Sequence, residues 1–277
     1  MKKLIIVTAI IMLASCATMK RTSVPAGARS VTPAANVPAA ELPDDQDHLI
    51  LATLWFQKSA EMRALFYQCF RNAEIALKEN LELSDRTRNA AVVLDIDETL
   101  LDNSPYQGWQ VLKQKAFNND DWFRWVERAS ARPLPGAVEF TRYADSLGVE
   151  VFYVSNRTVE EMGPTIRNMA AYGFADADST HMLLKETTSS KVERRERIEQ
   201  NFEIILLVGD NLADLSRIYE KRGPDYGFEA VEKDRRLFGT NYIVLPNPMY
   251  GNWLNDLLRT APGSTEREKL IKLLEAF

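Results

Sequence analysis

Apolar residues recur along this chain with two different periods, and the changes of period divide it into elements. From residue 46 to 83, Leu54, Ala60, Met62, Leu65, Phe66, Cys69, Ala73 and Ala76 fall near a period of 3.6, which predicts a helix. Residues 90–94 then form a short unbroken apolar run ending in acidic residues, the pattern of a strand buried on both faces. Residues 149–154, 204–208 and 242–245 repeat that pattern, and helical periods lie at 137–147, 159–172, 191–200 and 212–221. Strands alternating with helices predict an α/β fold, a doubly wound and mostly parallel sheet with helices on both faces. Such sheets bind ligands beyond the carboxyl ends of their strands. Three of the runs end in reactive or polar side chains: Asp95 after the first, Ser155 and Asn156 after the second, Asp210 after the third.

The stretch 105–132 interrupts the alternation. It carries Trp109, Trp122, Phe123 and Trp125 on helical segments. It is expected to pack with the long early helix as a small α-helical subdomain, 44–88 with 105–132, beside a core of 89–104 and 133–277.

The amino terminus reads differently. Lys2 and Lys3 precede an apolar run at 4–14 that is too short to span a bilayer as a mature helix. Leu13-Ala14-Ser15-Cys16 resembles the lipobox of bacterial lipoproteins, so residues 1–16 are expected to be a signal peptide with Cys16 as the lipidated first residue of the mature chain. An ordinary secretory signal with an incidental cysteine is the alternative. Lipidation implies anchoring to the cell envelope, and Ala17 rather than Asp after the cysteine favours the outer membrane of a Gram-negative cell. Stable attachment needs more than one acyl chain, which a multiply acylated Cys16 meets. Residues 17–43 are rich in Ala, Pro, Ser, Thr and Val without sustained periodicity, the composition of a tether. The rest, 44–277, is long enough for one substantial domain.

Charge and cysteine count narrow the field. A net charge of −5 argues against binding nucleic-acid polymers, which leaves a basic footprint. The mixed charge runs at 191–197 and 232–236 read as solvated helix faces. With Cys16 set aside, Cys69 is the one cysteine left, so the domain holds no internal disulfide; in its apolar context Cys69 reads as a small buried hydrophobe.

The chemistry concentrates in Val92-Val93-Leu94-Asp95-Ile96-Asp97-Glu98-Thr99. Two carboxylates one residue apart, directly after a buried strand, can both face a site at the strand end. The first can attack phosphorus. The second can protonate a departing alcohol and then take a proton from the attacking water. Two anions cannot host a phosphate dianion unaided, so a hard divalent cation, magnesium above all, is expected as cofactor. Three later segments complete the pattern in order: Val154-Ser155-Asn156-Arg157, Ser189-Ser190-Lys191, and Val208-Gly209-Asp210-Asn211-Leu212-Ala213-Asp214.

This set resembles the four motifs of the haloacid-dehalogenase-like superfamily, in which an acid two residues after the nucleophile marks phosphatases and phosphomutases. More narrowly, Asp95 to Thr99 with Leu101, Asn103 and Tyr106, and Gly209 to Leu212 with Asp214, look like the paired signature of the class C acid phosphatases of bacterial surface lipoproteins. Leu215 stands where that family usually has an aromatic residue. The resemblance implies Asp95 as nucleophile and metal ligand, Asp97 as acid/base with its backbone carbonyl as a second ligand, and Asp210 as a third. Ser155, Asn156 and Lys191 are then expected to hold the phosphoryl oxygens. Asp214 is expected to orient metal-bound water or Lys191, with a favourable helix-start charge as the alternative.

The resemblance also implies that Trp122 and Tyr250 sandwich a nucleobase, which points to nucleoside monophosphates among other small phosphomonoesters. The alternative for Trp122 is a place in the core of the helical subdomain. A homodimer is implied as well. A surface receptor that captures nucleotides or haem, with catalysis secondary or lost, would show a missing nucleophile, acid/base or ligand; Asp95, Asp97, Lys191 and Asp210 are all present. Phosphotransfer to an acceptor alcohol uses the same residues. Histidine and cysteine phosphatase motifs are absent, and His48 and His181 read as structural or surface residues.

Overall fold

A computed structural model of the chain describes residues 46–85 and 87–277; the expected signal peptide, Cys16 and the tether lie outside the described residues. A 3-10 turn (Asp47–Leu49) leads into α1 (Ile50–Lys58) and α2 (Ala60–Leu83). The helical period reads straight through this pair, but Ser59 between them is extended (φ −82°, ψ 140°). Its hydroxyl accepts a hydrogen bond from the Met62 amide at 3.1 Å and caps α2. The chain then forms β1 (Asn89–Leu94), β2 (Leu101–Asp102), α3 (Ser104–Lys113), α4 (Asn119–Glu127) and β3 (Arg132–Pro133). It continues through α5 (Ala137–Ser146), β4 (Glu150–Thr158), α6 (Met162–Tyr172), β5 (Met182–Lys185), α7 (Val192–Glu199) and β6 (Phe202–Gly209). The last elements are α8 (Leu212–Leu215), α9 (Phe228–Lys233), β7 (Tyr242–Val244), α10 (Asn252–Thr260) and α11 (Glu266–Lys272).

Five strands form one sheet in the order β5-β4-β1-β6-β7, with every neighbouring pair parallel. The doubly wound α/β fold expected from the alternating pattern is the one observed. The chain fills the sheet to one side of β1 through β4 and β5, then crosses to the other side for β6 and β7. The switch point therefore lies at the carboxyl end of β1, where open α/β sheets bind ligands.

Alternating residues of β1 face opposite layers, as the two-residue period of a strand requires. Val92 and Leu94 join Phe66 and Phe70 of α2 and Phe140 of α5 in the larger core. Ala91 and Val93 join Phe152, Val154 and Ile198 of α7 in the smaller one. Cys69 packs at the margin of the larger core, and burial pushes its thiol pKa up. No helix among the described residues is long and apolar enough to cross a membrane.

The structure differs from the sequence reading in several places. The helical subdomain divides: α1 packs on α3, whereas α2 lies against β6, β7 and α5. The physical reason is that α2 buries Met62, Phe66, Phe70, Ala73, Ala76 and Leu77 along one face, an apolar stripe wide enough to cover a sheet. Strand β5, four residues long and flanked by polar ones, carries too short a pattern to stand out. Strand β4 runs on to Thr158, so Ser155 and Asn156 lie within the strand rather than after it. The helix expected at 212–221 breaks at Ser216, which is extended (φ −153°, ψ 150°) between α8 and a 3-10 turn. In the charge run at 191–197, Arg194 and Arg195 are buried, because backbone carbonyls of β4 and α8 accept their hydrogen bonds.

His181 is held between carboxylates, 2.8 Å from Glu150 and 3.0 Å from Asp178. This places it near the amino-terminal end of β4.

Candidate active site

Strands β1 and β6 end side by side, and the Asp95 amide donates to the Val208 carbonyl at 3.0 Å. That bond fixes the start of the loop after β1 against the end of β6. Thr99, fully buried, reaches across: its hydroxyl lies 3.2 Å from an Asp95 carboxylate oxygen and 3.4 Å from one of Asp210, and it accepts from the Asp210 amide at 3.1 Å. The Asn247 amide donates to the other Asp210 oxygen at 2.8 Å. Asp95, Asp210 and Asp214 each present a carboxylate oxygen, and the three lie within 4.8 Å of one another.

Lys191, just before α7, enters this group from the side and is buried. Its ammonium pairs with Asp95 and, at 2.7 Å, with Asp214. Asp214 also accepts from the Asn211 amide at 3.0 Å and closes a capping box on α8. One Asp214 side chain thus contacts the lysine and caps the start of α8. Gly209 leaves the room it needs, since a Cβ there would come within 2.6 Å of the Asp214 side chain.

The electrostatics follow from crowding acids in a buried place. The Asp95 carboxyl is pushed up to about 7, chiefly by burial, with Asp214 and Asp97 adding to the rise and Lys191 opposing it. Burial also raises Asp210 well above the usual carboxylate range, with the charges of Asp214 and Asp95 adding to it. Burial works against the Lys191 charge, but Asp214 and Asp95 more than offset it and hold its pKa above the ordinary lysine value. Three carboxylates compete for one lysine, which is the donor chemistry that suits a hard divalent cation.

Asp97 sits apart from this trio. Arg157 grips it: Nε donates to its two oxygens at 3.0 and 3.2 Å, and Nη2 donates at 2.7 Å. Asn103 Nδ2 donates to it at 2.8 Å, and the Ser155 hydroxyl lies 3.4 Å away. Arg194 bonds the Ser155 carbonyl and donates to Asn156 Oδ1 at 2.8 Å, which leaves the Asn156 amide nitrogen as its remaining donor. Arg195 donates to the Asp214 carbonyl at 2.6 Å.

A cleft of about 220 Å³ opens over these groups, lined by Asp95, Asp97, Asn156, Lys191 and Asp210 among others. Trp122 and Tyr250 line it too. Trp122 is partly exposed and lies edge-on to Tyr106, with ring centroids 5.2 Å apart. The Tyr250 hydroxyl donates to Glu98, a fully buried residue with φ +57° whose other oxygen accepts from the Asn103 main-chain N–H at 2.8 Å. The strained turn at Glu98 thus ties the loop after β1 to the Tyr250 loop.

The model of a family described as HAD superfamily, subfamily IIIB (acid phosphatase), matches residues 1–253. The chain belongs to this family. A class C acid phosphatase from Bacillus anthracis is 35% identical, with a TM-score of 0.78 over 84% of this chain and 98% of that one. A structure of the class C enzyme from that organism with tungstate bound gives 34% and 0.77. Acid phosphatase 1 of Solanum lycopersicum is 28% identical over 181 residues, 62% of each chain. A stem 31 kDa glycoprotein of Glycine max is 27% identical over 168 residues, 58% of this chain and 59% of that one. The chain spans less than two thirds of the length of these two plant relatives.

In this subfamily IIIB chain, all the side chains named from sequence motifs reach one cleft or its floor, with Cys16 outside the described residues. Sequence reasoning missed Thr99, Arg157, Arg194, Arg195 and Asn247 as parts of the site. Arg157 had a usable signal: it lies two residues after Ser155, so strand alternation turns both to one face. Arg194, one helical turn after Lys191, had another. Asn247 had none, since only the return of the chain after β7 brings it to Asp210.

Proposed function

We propose that the protein is a magnesium-dependent phosphomonoesterase that works through an aspartyl-phosphate at Asp95. One placement supports this reading above all: the Asp95 carboxylate pairs with the Lys191 ammonium and lies within 4.8 Å of the Asp210 and Asp214 carboxylates, facing a cleft at the carboxyl edge of the sheet. An Asp95 oxygen attacks phosphorus as the ester P–O bond breaks. The electron pair of that bond stays on the leaving oxygen, which takes the proton of Asp97. Asp97 then takes a proton from the water that attacks phosphorus, and inorganic phosphate departs as Asp95 recovers its carboxylate.

Lys191, the Ser155 hydroxyl and the Asn156 amide are the donors for the phosphoryl oxygens, and Lys191 offsets the charge that moves onto them. Magnesium, held by Asp95, Asp210 and the Asp97 carbonyl, would neutralise the crowded acids and polarise the phosphoryl group. Asp214 holds Lys191 in place. Tungstate, a tetrahedral oxyanion like phosphate, is bound in the Bacillus anthracis structure, which agrees with an oxyanion site in this family.

For substrate class we propose nucleoside monophosphates, taken with other small monoesters. Trp122 and Tyr250 line the cleft beside the proposed nucleophile, and a base stacked on an aromatic ring gains about 1–3 kcal/mol with little preference among bases. A panel of phosphomonoesters assayed with chelator and then with restored magnesium tests the whole reading. Activity should vanish and return, KM should be lower for nucleoside monophosphates than for glycerol phosphate, and folded Asp95→Asn should be inert. Turnover by Asp95→Asn, or indifference to chelator, would remove the mechanism; equal KM values would remove the base stack.

A further inference from the structure

We infer that Arg157 is the positioning residue of the leaving-group acid: it aims the Asp97 carboxyl at the cleft. The inference rests on the phosphatase reading above and adds to it a residue outside the motif roles.

Arg157 is 3% exposed, and hydrogen bonds occupy all three guanidinium nitrogens. Nε and Nη2 point at Asp97, while Nη1 donates to Thr165 Oγ1 at 2.9 Å, itself tied to the Glu161 carbonyl at 2.7 Å. The base of α6 therefore braces the guanidinium from behind. Asp97 keeps one side on the cleft, and Asn103 bonds it from another direction. Asn103 is in turn held by the Trp125 indole at 2.8 Å. The carboxyl has little freedom to turn away from the substrate.

Burying a guanidinium is costly and adds little net stability even when it is paired, so a site of this kind is better explained by what the charge does. Breaking the ester bond leaves the electron pair on the alcohol oxygen. When the proton passes from Asp97 to that oxygen, a carboxylate forms 2.7 Å from a fixed cation. Arg157 holds that carboxyl in one orientation throughout, so the proton is delivered at the leaving oxygen. The same guanidinium lies 5.7 Å from the centroid of the Trp122 ring, so one cation contacts both the acid and the proposed base stack.

The test is a leaving-group comparison. An alkyl phosphate such as glycerol phosphate expels a poor leaving group that needs the proton; p-nitrophenyl phosphate expels a phenolate that does not. Arg157→Gln should lower kcat/KM for glycerol phosphate by about 10²-fold, the usual contribution of a positioned acid, and by less than about 10-fold for p-nitrophenyl phosphate. Using kcat/KM confines the comparison to transfer onto Asp95 and leaves the later hydrolysis out. Arg157→Lys, which keeps the charge without the fork, should recover part of the alkyl activity. Retained p-nitrophenyl phosphate turnover shows the variant is folded; if the Gln variant does not fold, the same comparison is made on the Lys variant, where the alkyl loss must exceed the aryl loss.

Equal losses on both esters would make Arg157 a structural residue and overturn the inference while leaving the phosphatase reading intact. A wild-type protein inert towards both esters would instead overturn the phosphatase reading.

Discussion

At the scale of single residues, the site is a place where charges are held against their own preference. Asp95 and Asp210 bind protons more tightly in the folded chain than free aspartates do, because burial and neighbouring carboxylates penalise the anion. A carboxyl whose folded pKa is raised favours the fold at low pH. Its contribution is lost as pH rises from the unfolded value of 3.8 through the folded value, about 7 for Asp95. Each such group contributes up to about 1.4 kcal/mol per pH unit across that window. A divalent cation needs the deprotonated forms, so its binding reverses the trend. Magnesium should therefore raise the melting temperature more at pH 7.5 than at pH 5.5. Asp210→Asn should shrink the difference; an equal magnesium shift at both values would count against this site as the place of binding.

At the scale of elements, α2 shows how much a sequence period leaves open. Its residues predict a helix, and a helix forms, but the period does not say which surface it covers. The stripe from Met62 to Leu77 lies on the sheet, with Phe66 fully buried and edge-on to Phe56 at 5.7 Å between centroids. Phe66→Ala should destabilise the whole domain by about 3–5 kcal/mol, seen as one cooperative transition moved to lower temperature. A separate early transition would restore α2 to an independent subdomain. The insert between β2 and β3 behaves differently. The antiparallel pairing of Leu101–Asp102 with Arg132–Pro133 closes its neck, and α4 delivers Trp122 to the cleft and Trp125 to Asn103. One short helix thus supplies both the proposed base stack and, through Asn103, a support for Asp97.

At the scale of the whole molecule, the parallel sheet gathers segments from across the domain at one edge. The amino-terminal segment bears on where that edge works. We propose that Cys16 is acylated and holds the domain on the cell envelope. Cys16→Ser should release active protein into the soluble fraction and abolish fatty-acid labelling; continued membrane association without the cysteine would argue for another anchor.

Much of this was legible in the residues alone. The order of strands and helices, and the acids, serine, asparagine and lysine of the motifs, could be read because each depends on a local pattern: a run of apolar residues, then a polar group where the strand ends. What the sequence could not supply were relations between distant segments. The grip of Arg157 on Asp97, the bridge from Thr99 to Asp210, the reach of Asn247 and the burial of Arg194 and Arg195 all arise where segments distant in the chain meet. Periodicity reports which face of an element is apolar, but the packing of elements decides which surfaces touch, and only those contacts bring a charge to its partner.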